Sequence, residues 1–180
     1  MKQFLVFVLL IFIVNCDNST AVSSSQASTL LGTWHDEKET VDKARFKLTF
    51  AQDNVFTTEI FFGDSKEVSV DYFVSRTITN ELFLVAACGE DRSECSLTLY
   101  EVKGDRAYLP NFTNGANADK ERAKQSLQRC NSLAQKDLIV SCLNQIFTLN
   151  SEMVLFVEQL LSNQASILAQ EKNSLVLART

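Results

Sequence analysis

The sequence predicts a mainly β domain with one or two helices, in which antiparallel strands form a barrel. Three observations predict it: β-strand patterns recur from Leu30 to Leu109, turn residues separate them, and one amphipathic helical pattern follows. Short strands at this spacing are typical of a sandwich or an up-and-down barrel. The 180 residues suffice for a single domain with a substantial core.

The strand predictions rest on period-two alternation and on the turns between the runs. In residues 44–50 apolar side chains alternate with polar ones, as in a strand that is buried on one face. Turn residues at 51–54 and 63–66 interrupt the pattern twice, and Thr79, Asn80 and Glu81 do so again. The predicted strands are residues 44–50, 55–62, 68–74, 82–88, 95–102 and 106–109.

The one clear helical pattern covers residues 117–135. Its apolar positions recur at helical spacing and form one stripe among charged residues, as on a helix that lies against a sheet. The stripe consists of Ala123, Leu127, Cys130 and Ala134.

The C-terminal third gives weaker patterns. Residues 138–149 fit a second helix or a strand. Residues 147–157 predict two strands joined by a tight turn at 150–152, and residues 165–170 and 175–179 predict a final hairpin.

The N-terminus predicts export. Lys2 precedes an unbroken apolar run of eleven residues, which suits a signal peptide and is too short to span a bilayer. The run ends in Ile13-Val14-Asn15-Cys16, which resembles the lipobox of bacterial lipoproteins. That resemblance implies removal of residues 1–15 and a lipid on Cys16, so that the protein is anchored to a membrane of the cell envelope. Cleavage after Cys16, giving a secreted soluble protein, is the alternative.

A Ser/Thr-rich stretch follows the apolar run. Residues 16–29 carry few apolar side chains, and this composition predicts a tether rather than part of the core. The predicted organisation is therefore a signal peptide at 1–15, a tether at 16–29, and a barrel domain at 30–180 with a helical insertion at about 117–135.

The number of cysteines supports the prediction of export. Without Cys16 four remain, an even number as expected for disulfides in an exported protein. Four cysteines allow three connectivities, and short loops favour Cys88 with Cys95 and Cys130 with Cys142. Paired zinc-ligand spacing is absent from the sequence. A bonded second pair requires the chain to turn between its cysteines, because twelve residues of continuous helix would separate them by about 18 Å.

The start of the domain resembles the lipocalin-like family. Leu31-Gly32-Thr33-Trp34 matches the Gly-x-Trp motif of the family's first strand, and the following strands match its up-and-down order. The same opening is similar to small bacterial barrels of the META and copper-response lipoprotein types, which interpose a helix. The resemblance implies that Trp34 plugs one end of the barrel beneath an Arg from the last strand, here Arg179.

The apolar faces of the predicted strands contain the candidate ligand residues. A barrel wide enough to keep a cavity would line it with aromatic side chains; a narrower one would bury them as core. The candidate lining residues are Phe46, Phe50, Phe56, Phe62, Tyr72 and Phe83.

Several function classes have no support in the sequence. No dense Lys/Arg cluster predicts a nucleic-acid surface. The single histidine, His35, lies beside Asp36 and Glu37, but consecutive strand residues point to opposite faces, so we expect a solvent-exposed side chain rather than a metal ligand. No catalytic triad, nucleophile elbow or phosphate loop occurs. We expect neither metal, cofactor nor catalytic residues.

Two functions are favoured after these exclusions, and an enzyme that uses a pair of carboxylates in a cleft is the third hypothesis. The first is a non-enzymatic, lipid-anchored envelope barrel that binds a small apolar ligand or acts in envelope stress. The second is a protein-binding module similar to lysozyme-inhibitor lipoproteins, in which a surface loop such as residues 89–94 contacts the partner protein.

Overall fold

A computed structural model describes residues 30–37, 45–89, 94–110, 114–165 and 175–180. Its strands form a closed antiparallel barrel in sequence order, which confirms the predicted fold class. The eighth strand closes the barrel by pairing with the first. The strands are β1 Gly32–Asp36, β2 Phe46–Phe50, β3 Val55–Phe62, β4 Ser65–Thr77, β5 Leu82–Cys88, β6 Ser96–Lys103, β7 Arg106–Leu109 and β8 Leu175–Arg179.

The up-and-down order gives the barrel two different ends. Tight turns after β2, β4 and β6 lie at one end, together with the start of β1 and the end of β8. We call this the closed end. The opposite end, which we call the mouth, is where β1, β3, β5 and β7 finish and where the helical segment leaves the barrel.

Among the described residues, three α-helices lie between β7 and β8, so the insertion is larger than the sequence predicts. They are α1 Asn114–Leu127, followed by a turn of 3-10 helix at Gln128–Cys130, then α2 Lys136–Leu149 and α3 Ser151–Ser162. None of the described helices is by itself long and apolar enough to span a membrane, and α2 and α3 pass that test only as a pair bent by 65°.

The two strands predicted within residues 147–157 are wrong, because α2 and α3 meet there. The backbone of Asn150 is extended and ends α2. Its side chain caps α3, since its Oδ1 accepts a hydrogen bond of 3.0 Å from the backbone N–H of Met153. The apolar side chains that follow pack at helical spacing against the barrel wall, as do those of α2. The buried side chains of the pair are Ile139, Leu143, Ile146, Phe147, Met153, Phe156, Val157 and Leu160.

The predicted final hairpin is half correct. Its second arm is β8, but both edges of β8 are occupied, one by β7 and one by β1. No edge is left for the arm predicted at residues 165–170, of which 166–170 lie outside the described residues. The last strand therefore closes the barrel instead of forming a local hairpin.

Two apolar layers stabilise the domain, one inside the barrel and one between the barrel wall and the helices. Strand β5 belongs to both layers, and all seven of its residues are buried. Phe83 and Val85 point into the barrel, whereas Leu82 and Leu84 point toward the helices. This double burial explains why β5 is an uninterrupted apolar run in the sequence.

Both predicted disulfides are confirmed. Cys88 is bonded to Cys95 where the β5–β6 hairpin ends, and Cys130 is bonded to Cys142. The second bond joins the end of the 3-10 turn to α2, with the two Cα atoms 5.7 Å apart. The chain reverses between these cysteines, as the disulfide requires.

Candidate functional site

Trp34 and Arg179 meet at the closed end of the barrel, where the family resemblance leads us to expect a plug. The two residues are directly opposite each other on β1 and β8. The Trp34 side chain is fully buried, and its Nε1 donates a hydrogen bond of 2.9 Å to the Leu30 carbonyl oxygen. The guanidinium carbon of Arg179 lies 4.5 Å from the centroid of the indole ring, within the range of a cation–π interaction.

Gly32 explains the glycine of the Gly-x-Trp motif. Its φ is +121°, a conformation that residues with a Cβ rarely adopt. Gly32 is opposite Phe50 in the β1–β2 register. The glycine therefore lets β1 begin at the closed end with Trp34 directed inward.

An aromatic cluster fills the middle of the barrel. The Phe50 ring stacks on Phe56 at 4.7 Å between centroids and meets Phe73 and Tyr100 edge-on at 5.2 and 5.4 Å. All four side chains are at least nine-tenths buried. Burial also raises the pKa of the Tyr100 hydroxyl, so the ring stays neutral at physiological pH. We call these four residues the aromatic floor.

Above the aromatic floor, apolar side chains continue toward the mouth and become exposed. Alternate residues of β3 point inward, and their exposed fraction rises from 7 % at Phe56 to 38 % at Ile60 and 57 % at Phe62. Phe46 of β2 is opposite Ile60 and packs partly against the barrel core. We call Phe46, Ile60 and Phe62 the mouth row. It is an apolar surface that solvent reaches from the mouth.

Polar side chains lie on the inward face beside the mouth row. Thr58 is between Phe56 and Ile60 on β3 and is opposite Ser69 of β4. Asp71 is opposite Phe56 and is fully buried, with its carboxylate on the side of the aromatic floor. Of these groups, Thr58 supplies a hydroxyl oxygen next to the apolar surface of the mouth.

The six predicted lining residues do not line a single pocket. Phe50 and Phe56 belong to the aromatic floor, and Phe83 packs in the same barrel core. Phe46 and Phe62 belong to the mouth row. The prediction for Tyr72 is wrong, because its side chain points out of the barrel and packs against the layer of helices.

The Tyr72 error has a simple cause. Val68, Val70, Tyr72 and Val74 alternate along β4, but they form its outward face, and the inward residue is Phe73. The face of β4 that looked more apolar is the one that the helices partly cover. Tyr100 was also missed from the sequence. Side chains alternate along β6, so Tyr100 points into the barrel while Leu97 and Leu99 point out of it, toward the helices.

His35 is buried rather than exposed to solvent, so that expectation is wrong. Its exposed fraction is 9 %, and its Nδ1 lies 3.1 Å from the Asp36 carbonyl oxygen. Within the described ranges, no three His, Cys, Asp or Glu side chains come together as metal ligands. The predicted lipid site, Cys16, lies outside the described residues.

A further cavity of about 210 Å³ opens on the outer surface of the helices. Arg129, Gln145, Leu149 and Asn150 line it. The Asn150 side-chain oxygen already accepts the hydrogen bond that caps α3. The residues that line this cavity are far in sequence from those of the mouth row.

No family model matches the chain, and no curated protein or solved structure matches it either. The barrel geometry and the side chains described above are therefore the basis for a functional proposal.

Proposed function

We propose that this protein is a non-enzymatic, lipid-anchored barrel of the cell envelope that binds a small apolar molecule at the mouth. The supporting observation is the mouth row, in which inward-facing apolar side chains remain exposed above a closely packed aromatic floor. Covering such side chains lowers the free energy of the protein in water by roughly 25 cal/mol per Å² of apolar surface. Covering the exposed parts of Ile60 and Phe62 would contribute on the order of 1 kcal/mol each.

The depth of the site follows from the aromatic floor. Phe50 and Phe56 are stacked and almost completely buried, so the ligand occupies the outer part of the barrel rather than its centre. Thr58 lies between the floor and Ile60 and offers a hydroxyl that orients a polar end of the ligand. The ligand class is thus a small apolar molecule with at most a few polar atoms.

Binding of a neutral fluorescent probe, N-phenyl-1-naphthylamine, tests the mouth site. We expect saturable binding that weakens at least about tenfold when Ile60→Ser and Phe62→Ser are combined, because the two apolar contacts are lost. Val68→Ser is the matched control, since Val68 is 52 % exposed on the same hairpin but points outward. A wild-type protein that does not bind the probe, or an equal loss in the control, contradicts the proposal.

Lipid anchoring is tested separately at Cys16. We expect the mature protein to carry a mass increase on an N-terminal Cys16 and to partition with membranes. Cys16→Ser should release it into the soluble fraction. A mature chain without lipid on Cys16 supports the alternative of simple secretion.

A protein-binding module is the second candidate. The bond between Cys88 and Cys95 fixes the base of the loop at residues 89–94, and the exposed Glu94 forms an ion pair of 2.6 Å with Lys124. Residues 90–93 of this loop lie outside the described residues, and the proposal rests on the two fixed ends of the loop. Inhibition of lysozyme by the purified chain tests it, and full lysozyme activity at a tenfold molar excess of the chain counts against it.

A further inference from the structure

The longest strand of the barrel, β4, extends beyond its neighbour β5. β4 is paired with β3 from Ser65 to Tyr72, but with β5 only from Tyr72 to Thr77. The β5–β6 hairpin ends at the Cys88–Cys95 bond, just where the pairing with β4 stops. Among the described residues, no strand pairs with the outer edge of residues 65–71, an edge about 20 Å long.

The backbone groups at this edge come from three residues. The Phe61 N–H donates to the Arg45 carbonyl oxygen of the chain leading into β2, so Phe61 directs its backbone groups away from β4. Because the direction of the backbone groups alternates along a strand, the N–H and C=O groups of Phe62 and its partner Ser65 point toward each other. The same holds for the backbone groups of Ile60 and Glu67. The N–H and C=O groups of Lys66, Val68 and Val70 consequently point to the outer edge.

The side chains of the same three residues form an exposed surface on the outward face. Val68 is 52 % exposed and Val70 is 53 % exposed, although both are β-branched residues in a regular strand. Lys66 is held on this face by an ion pair of 2.7 Å with Glu59. The backbone groups of this edge pair with no strand among the described residues, and its valines are exposed. Such an edge is suited to pair with another strand.

We propose that the occupant of this edge is a second copy of the same chain, paired antiparallel through β4 about a two-fold axis at Val68. Val68 then lies opposite Val68 of the other copy, and Lys66 lies opposite Val70. On the other face Glu67 lies opposite Ser69, and Ser65 lies opposite Asp71. The four exposed valines of the two copies cover one another, and no two like charges are directly opposite.

Hydrogen bonding and charge select this register over its neighbours. An axis at Val68 gives every one of the three edge-directed residues a partner that is also edge-directed. With the axis at residue 67, Val70 has no edge-directed partner on the unpaired part of the other β4. With the axis at residue 69, the same is true of Lys66. The first shift also places Glu67 opposite Glu67, and the second places Glu67 opposite Asp71, both of which are repulsive. The edge is therefore complementary to itself in one register.

Sedimentation velocity of the full chain over about 1 to 200 µM tests the dimer. We expect a concentration-dependent dimer that is independent of probe binding at the mouth. Val68→Glu should raise the dissociation constant at least about tenfold, because it places two carboxylates opposite each other at the axis. Val70→Glu is the matched control: it places Glu opposite Lys66 of the other copy, and we expect an equal or stronger dimer.

A cysteine at the axis tests the register, because a hydrogen-bonded antiparallel pair has Cα atoms about 5.5 Å apart, within the range of a disulfide. Val68→Cys should form a covalent dimer on mild oxidation, whereas Val70→Cys should not, since its copies lie four residues apart along the strand. Val68→Lys separates repulsion from misfolding, because it faces Glu59 favourably within one copy but should still dissociate the dimer. A chain that stays monomeric at 200 µM overturns the proposal, as does a dimer that Val68→Glu leaves intact or Val68→Cys fails to trap.

Discussion

Arg179 lies over the ring of Trp34, with its guanidinium carbon 4.5 Å from the ring centroid, and joins the last strand of the barrel to the first. The contact closes the barrel at the seam between residues that are 145 positions apart in the sequence. Because Trp34 is the only tryptophan, its fluorescence reports on this contact directly.

Replacing Arg179 by Ala should destabilise the protein by about 1 kcal/mol and shift the tryptophan emission, because the cation–π interaction is lost. Denaturant unfolding followed by Trp34 fluorescence measures both effects. Arg106→Ala is the control, since Arg106 is largely exposed and pairs with Glu37 at the surface. An unchanged emission spectrum in the Arg179 variant would contradict a contact with the indole in solution.

Asparagine at Gly32 should be more harmful than asparagine at Gly63. The φ of Gly32 is +121°, which only glycine adopts readily, whereas the φ of Gly63 is +60°, which asparagine tolerates. We expect Gly32→Asn to cost about 1 to 3 kcal/mol and Gly63→Asn to cost less than about 1 kcal/mol. Equal losses in urea unfolding would show that the motif glycine has no conformational role.

The aromatic floor should contribute more to stability than the mouth row. Phe50→Ala removes a buried ring that contacts three other rings, and we expect a loss of about 3 to 5 kcal/mol. Phe62→Ala, at a side chain that is 57 % exposed, should cost less than about 0.5 kcal/mol. Thermal unfolding of the two variants checks this, and a large loss for Phe62→Ala would place that ring in the core instead.

The two disulfides should differ in their reaction with reductant. Cys88 and Cys95 are both at most 1 % exposed, whereas Cys142 is only partly buried. A thiol must reach a sulfur atom to reduce the bond, so dithiothreitol should open Cys130–Cys142 first. Timed alkylation and mass spectrometry show the order. Loss of the Cys130–Cys142 bond should cost about 3 kcal/mol, since it closes a loop of twelve residues.

Stability should fall at acidic pH, in part because of Glu59. Its hydrogen bonds and ion pairs with Lys66 and Lys47 hold its pKa below the ordinary value of 4.5. A carboxyl group whose pKa is lowered by folding stabilises the protein above its unfolded pKa, and that stability is lost as pH falls through the folded pKa. We therefore expect the melting temperature to decrease below about pH 4.5, and less steeply in Glu59→Gln.

Lys66→Met tests the cause of that pKa shift. Because the hydrogen bond from Lys66 is the largest cause, its loss should move the pKa of Glu59 toward the ordinary value in an NMR titration. The remaining interaction with Lys47 should keep part of the shift. A pKa that does not respond to the substitution would assign the shift to other groups.

The sequence predicted the parts of the fold whose signals are local. Alternation in β2 and β3, the Gly-x-Trp motif and the spacing of the cysteines reflect constraints between residues close in the chain, and the structure bears them out. The Trp34–Arg179 contact is long-range, and it was predictable only through the family resemblance.

Other features depend on partners that local patterns do not identify. The apolar run at residues 147–157 suits a strand or a helix, and the capping of α3 by Asn150 together with packing on the barrel makes it helical. Tyr72 and Phe73 are neighbours on a strand that is apolar on both faces, so alternation could not tell which of them points inward.

By itself, then, the sequence determined the alternating strands and the turns between them, and it favoured the observed disulfide pairs, because period, turn chemistry and loop length act over a few residues. Only the tertiary structure decided which face of β4 is inside, how far the aromatic floor fills the barrel, and that β4 extends beyond β5. These depend on which strands become neighbours and where the helices cover the wall, and burial against distant residues outweighs local preference at those positions.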